Sequence, residues 1–413
     1  MKEADRYNDL KIRSIHALLF FLCLFFRAYP AAGEEFFYKH REGDRYRILS
    51  TVTEDVYIER KFSHSAEIIN RIAVELIAIN EDTGSFRAVF QTAEKATVAG
   101  KTENFEWSRE YISEFDRNRL GYLVINSKYF MPVVRNVPVF PERDLEPGDT
   151  WSAEGYEVHD FRDSFGIPDP YRIPFMAEYL FLGEREWKGN SYPAFSVSYH
   201  LLNEPPPPET GRIWPRRIQG ASDQIIYWDL DIGQTVAYEE SFRLIFELSN
   251  GVVAEYQGRA DAEMIEAPAM DKEMIAEEVL ENIQRMDIQG TSVRVEETGV
   301  TISIENIQFM ADSSSLIHDE ILKLDKIIEI LNLYPERDIL VSGHTALAGT
   351  KEMRDALSLE RARIVADYLL EKKVRTPDRI VIQGFGAEKP LADNNTEANR
   401  ARNRRVEITI LEN

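Results

Sequence analysis

Cysteine is almost absent. The only one, Cys23, sits inside an apolar N-terminal run, so a chain processed after that run has none. That excludes disulfides, thiolate nucleophiles and Cys-ligated metals together. Positive charge is scarce relative to negative: 49 Lys and Arg stand against 71 Asp and Glu, a net charge of −22. A nucleic-acid surface needs clustered cations, so this balance excludes nucleic acid and argues against an anionic membrane surface as the main partner. Histidine is sparse as well. The seven residues, at 16, 40, 64, 159, 200, 318 and 344, offer no pair at metal-ligand spacing. No Ser or His motif of a hydrolase is present, so the chain reads as non-catalytic and without a cofactor.

Long apolar runs are missing except for one, from Ile15 to Phe26. Lys11 and Arg13 precede it, and Ala31, Ala32 and Gly33 follow. A basic end, a short apolar core and a small-residue exit make residues 1–33 a secretory signal, with an uncleaved anchor as the alternative. Phe21 and Leu22 are too bulky before Cys23 for lipidation. Export places the chain in the periplasm, with outer-membrane association as an option.

What is present after residue 33 is two patterns, giving an α+β multidomain chain. Residues 34–265 read as β-rich, sandwich or barrel-like. Phe86, Ala88 and Phe90 alternate with Arg87 and Val89, and Asn250-Gly251 separates two such runs as a hairpin signal. Pro147-Gly148-Asp149 marks a turn, and a boundary near 150 divides the region into two modules as one option. Pro205 to Pro208 form a rigid loop. In the 266–289 linker, Ile275, Val279, Ile283 and Met286 recur at helical spacing. From 290 to 413, strand and helix alternate. Val300, Ile302 and Ile304 lead to Phe309, and Ser314 or Ser315 caps a helix carrying Ile317, Ile321, Leu324, Ile328 and Leu331. A strand at Asp338 to Ser342 follows, then a helix with Leu357, Ile364, Val365, Tyr368 and Leu369. Strands at Arg379 to Gln383 and Val406 to Leu411 complete a β-α-β-α-β order.

The run Gly343-His344-Thr345, then Leu357-Ser358, Arg361-Ala362, Gly384-Phe385-Gly386, Pro390 and Asn403-Arg404-Arg405-Val406-Glu407 resembles the OmpA/Pal/MotB C-terminal domain over about 290–413. The resemblance implies an α/β sandwich that grips the stem peptide of peptidoglycan without covalent bonds. Arg361 and Arg404 occupy family pocket positions suited to carboxylates. Two positions depart from the pattern. Ala346 stands after Thr345 where the family has Asp, and Arg354 stands where it usually has Asn. The pocket keeps its anion-facing half and loses its cation-facing half. Two readings stay open: a wall site adapted to carboxylates, or a retired site on an interaction scaffold.

The remaining candidates have plainer explanations. His344 reads as structural. Gly343 to Lys351 imitates a phosphate loop, one residue too long. The acidic residues read as a solvated surface. The β-rich region is expected to meet other envelope proteins. A transmembrane barrel at 34–265 is the alternative, disfavoured by dense charge and the proline loop. A wall hydrolase targeted by its C-terminal domain is a further one.

Overall fold

The computed structural model describes residues 33–98, 101–102, 105–207, 213–265, 270–305, 307 and 316–412. Residues 1–32 of the signal sequence, Phe309, Pro208 and the Ser314/Ser315 cap lie outside the described residues.

Residues 45–265 form thirteen strands and one short helix: β1 Arg45–Ile58, β2 Lys61–Asn80, β3 Thr83–Val98, β4 Lys101–Thr102, β5 Phe105–Arg117, β6 Leu123–Ile125, β7 Val134–Arg135, β8 Thr150–His159, α1 Arg162–Phe165, β9 Tyr171–Trp187, β10 Asn190–Asn203, β11 Pro215–Asp229, β12 Gln234–Leu248 and β13 Val253–Ile265. After these come α2 Lys272–Arg285, β14 Thr291–Glu296, β15 Gly299–Glu305, α3 His318–Leu331, β16 Ile339–Gly343, α4 Lys351–Glu371, β17 Ile380–Gly384, α5 Glu397–Asn403 and β18 Arg405–Leu411.

The long strands follow one another as antiparallel hairpins. β1 pairs with β2 on one side and with β13 on the other, Ser50 standing opposite both Asn70 and Ala262. Strands from either side of residue 150 therefore share one sheet, and Thr150 is only where β8 begins. An aromatic cluster spans that position too: Phe36, Tyr38 and Phe140 pack with Phe181, Phe195 and Trp228. The sheet curls, and its inward faces enclose a hollow of about 700 Å³. Phe86, Ala88 and Phe90 are buried, as their alternation requires. Asn250-Gly251 turns β12 into β13, with Gly251 at φ +88°.

The C-terminal sheet runs β14-β15-β18-β16-β17. β16 and β17 are parallel, and the other pairs are antiparallel. Helices α2, α3 and α4 add Val279, Leu324, Ile327, Val365 and Leu369 to one core with Ile302, Val341 and Ile408. The segment expected as a linker helix therefore buries Ile275, Val279 and Ile283 in this core while connecting the two regions. Two details of helix assignment change. α3 begins at His318 with Ile317 as its N-cap. Leu357, expected on the apolar face of α4, is 47% exposed. The buried face is instead Ser358, Ala362, Val365, Ala366 and Leu369, small where the helix lies closest to the sheet.

The two sheets join. β5 adds to β17 in parallel, Phe105 opposite Val381 and Glu106 opposite Ile382. Around that seam Ile69, Ala93 and Trp107 pack on Leu340 and Leu411. Asp338, just before β16, accepts from Arg71 Nε and Nη2 at 2.9 and 2.7 Å and from Arg379 Nε at 2.7 Å. Arg363 of α4 donates to Glu106 at 3.1 Å.

Candidate functional site

Parallel strands β16 and β17 end side by side at Gly343 and Gly384, and the loops that leave them form the candidate site. Gly343 is required there. A Cβ on it would lie 1.8 Å from the carbonyl oxygen of Ser358, so only glycine lets α4 approach. Ser358 fixes the second loop, its Oγ accepting from Gly386 N at 2.9 Å. Thr345 N donates to Gly386 O at 2.7 Å and ties the two loops together.

Thr345 and Ala346 are both buried beyond the end of β16. Thr345 thus closes the loop. Ala346 gives its carbonyl to Ala348 N at 2.9 Å, and its methyl brings no charge to the loop. Leu347 N donates to Asn394 Oδ1 at 3.0 Å. Asn394 is held in turn by Asn403, which accepts from Leu391 N and Ala392 N at 2.8 and 3.0 Å and donates to Asn394 Oδ1 at 3.1 Å. This brings the residue before Arg404 into direct connection with the Ala346 loop.

Arg354, Ser358 and Arg361 lie three and four residues apart, on one face of α4. Ser358 in the middle of that face touches both loops. Arg354 is half-buried, with its Cβ 3.5 Å from where a Cβ on Gly386 would sit, and its Nη1 donates to Gly349 O at 2.7 Å. Arg361 is half-buried one turn further on. Burial and, second, the charge of Arg404 pull its guanidinium below the ordinary arginine value. The two arginines therefore feel each other's field. Arg404 is anchored by Glu397, whose exposed carboxylate accepts from its Nη2 at 2.7 Å. The fold thus puts Thr345 and Ala346 beyond the end of β16, Arg354 and Arg361 on the face of α4 that carries Ser358, and Arg404 next to Asn403, which is tied to the Ala346 loop through Asn394.

His344 stacks on Phe385 with ring centroids 5.2 Å apart, and its Nε2 lies 3.1 Å from Glu407 Oε2. Burial lowers its pKa, which leaves a neutral ring that donates to Glu407. Glu407 also accepts from Arg405 Nε and Arg294 Nη2, each at 2.7 Å. Arg405 is buried in this ion pair. Lys351, the lysine of the phosphate-loop imitation, is held by Asp355 and Glu388 at 2.8 and 2.7 Å.

Burial pushes the Glu407 carboxyl up. The His344 bond, the charges of His344 in acid and of Arg405, and the Arg294 bond outweigh it and hold the group far below the usual carboxylate range. A carboxyl depressed by folding stabilises above its unfolded pKa, about 4.5, and that contribution is lost as pH falls toward the folded value. Native stability should therefore drop steeply below about pH 4.5. Glu407→Gln should be less stable at neutral pH but flatter in acid. Denaturation midpoints taken across that range check both.

Asn394, Asn403 and Ser358 were not singled out from sequence as site residues. Asn403 lies inside the Asn-Arg-Arg-Val segment, so its place was visible there, though not its work in bonding the loop.

Residues 308–404 match the OmpA family. Over 104 residues the chain is 38% identical to the peptidoglycan-binding protein ArfA of Mycobacterium tuberculosis, covering 25% of this chain and 32% of that protein. Over 129 residues it is 34% identical to the probable lipoprotein YiaD of Escherichia coli, covering 30% of this chain and 58% of YiaD. The solved peptidoglycan-associated lipoprotein of Burkholderia pseudomallei is 32% identical, covering 26% of this chain and 87% of that one, with a TM-score of 0.23. The match thus spans about a third of ArfA and under two thirds of YiaD. Residues 308–404 of this chain form an OmpA family domain.

Proposed function

We propose that the chain is a non-catalytic cell-envelope protein whose OmpA family domain holds peptidoglycan without covalent bonds, through stem-peptide carboxylates at Arg361 and Arg404. The observation that carries this reading is geometric: Arg361 leaves the same face of α4 as Ser358, which is bonded to Gly386, and Arg404 follows Asn403, which is bonded through Asn394 to Leu347 beside Ala346. Two like charges at half-buried positions repel, and an anion between them relieves the repulsion. Guanidinium is suited to carboxylate because its fork matches both oxygens. The names of the relatives, a peptidoglycan-binding protein and a peptidoglycan-associated lipoprotein among them, support the ligand class. Ala346 supplies no anion for a stem-peptide ammonium, so recognition rests on carboxylates. In this reading the chain is exported and works in the periplasm.

Co-sedimentation of the full chain with purified sacculi tests it. Native protein is expected to pellet with the wall, less so as salt rises. If native protein stays in solution while Ala346→Asp pellets, the site is a retired one and the chain is a scaffold.

A further inference from the structure

The hollow of the curled sheet, about 700 Å³, has the size of a small-molecule site. Every second residue of its strands faces inward, and most of these are apolar: Tyr46, Ile48 and Val52 on β1, Ile68 and Ile72 on β2, Phe90 on β3. The lining along β1 runs from Tyr46 to Glu54, which at about 3.3 Å per residue is roughly 26 Å. One end is floored by the segment before β1, where Tyr38 N donates to Arg119 O at 2.8 Å and Lys39 N to Gly233 O at 3.2 Å.

Arg117 lines the wall at that floored end. Its guanidinium lies 4.0 Å from the ring centroid of Tyr38 and 4.9 Å from that of Phe86. Its Nη2 donates to Gln234 Oε1 at 3.0 Å and to Tyr46 OH at 3.3 Å. Among the described residues no carboxylate forms an ion pair with it. A cation held against two rings at the closed end of an apolar hollow suits an anion carried on an apolar body.

We propose that this hollow binds a single-chain amphiphile of the long-chain carboxylate class, its head at Arg117 and its chain running along β1 and β2 toward Glu54. Of the carboxyls that line the hollow, Glu263 is paired with Lys188, and the other three leave room for an anion. Glu157 accepts from Tyr199 OH at 2.8 Å and lies 2.7 Å from His159 Nε2. Glu240 accepts from Ser222 Oγ at 2.6 Å and Gln224 Nε2 at 3.3 Å. Burial pushes Glu240 up, although those two bonds pull it back, and burial together with Glu94 pushes Glu54 up to about 7. Glu54 therefore carries less negative charge near neutrality than an exposed carboxylate does, so the chain of a ligand passes it at low cost.

Titration of the full chain with cis-parinaric acid tests the proposal. A saturable gain in fluorescence is expected, reversed by palmitate and much less by hexadecanol. Arg117→Gln should weaken binding roughly tenfold, the effect of one lost charge-assisted contact. Ala262→Trp and Val236→Trp, which fill the hollow from β13 and β12, should abolish it, with circular dichroism showing that each variant folds. No saturable binding by the native chain overturns the proposal, as does undiminished binding by either folded tryptophan variant. Equal displacement by palmitate and hexadecanol overturns the placing of the head at Arg117.

Discussion

Replacing Asp338 by alanine is expected to destabilise the protein by about 3–5 kcal/mol, the cost of breaking a buried ion pair from one side. Asp338 and Arg71 are each 5% exposed. The carboxylate accepts two hydrogen bonds from Arg71 and one from Arg379 among its contacts. Removing it leaves two guanidiniums at the seam without their shared anion. The position magnifies the effect. Arg71 belongs to β2, Asp338 stands at the entry to β16, and the apolar cluster of Ile69, Phe105, Leu340 and Val381 lies around them. Substituting both partners, as Arg71→Met with Asp338→Leu, should recover most of the loss, because well-packed apolar groups replace a buried pair at little cost. Denaturant titration of the three proteins measures this. A single-variant loss under about 0.5 kcal/mol would show that the pair contributes no more than an exposed one.

Arg361→Ala is expected to lower affinity for the wall roughly ten- to a hundredfold, the range for a lost hydrogen bond to a charged group of about 1.5–3 kcal/mol. Arg361 reaches the site from the same face of α4 as Ser358, whose backbone lies against Gly343, so the helix is fixed where the guanidinium leaves it. Arg361→Lys should recover only part of the loss, since a point charge replaces a fork. Arg404→Ala should cost less, because Glu397 already holds part of that charge in solvent. Binding isotherms on sacculi give the order. Equal affinities for native protein and Arg361→Ala would remove this residue from the contact.

Local patterning made much of this architecture legible in the sequence. Phe86, Ala88 and Phe90 face one way because a strand alternates, and Asn250-Gly251 turns because its glycine takes a positive φ. Val300, Ile302 and Ile304 read as a strand for the same reason, and all three are buried. Leu357 misled, because apolarity alone does not tell which face of a helix is covered. Here close packing against Gly343 selects Ser358 and Ala362 instead. In the sequence a strand is legible at Val300 to Phe309 but none at Thr291–Glu296, where β14 lies. Contacts between distant residues had no local signal at all. Arg71 and Asp338 are 267 positions apart, and β1 meets β13 across most of the β-rich region. Loop closure at that range is set by packing, which spacing does not encode. In the candidate site, Arg361 and Arg404 were visible through resemblance. The asparagines that bond the loop beside them emerge only when backbone donors are traced to their acceptors.

Competition on sacculi tests the carboxylate-facing site most directly. Full-length protein bound to purified wall is challenged with soluble stem peptides, one set bearing free carboxylates and the other amidated at the same positions. The free acids should displace the protein at concentrations where the amides leave it bound. Equal displacement by both sets, or by neither, would contradict a contact made through Arg361 and Arg404.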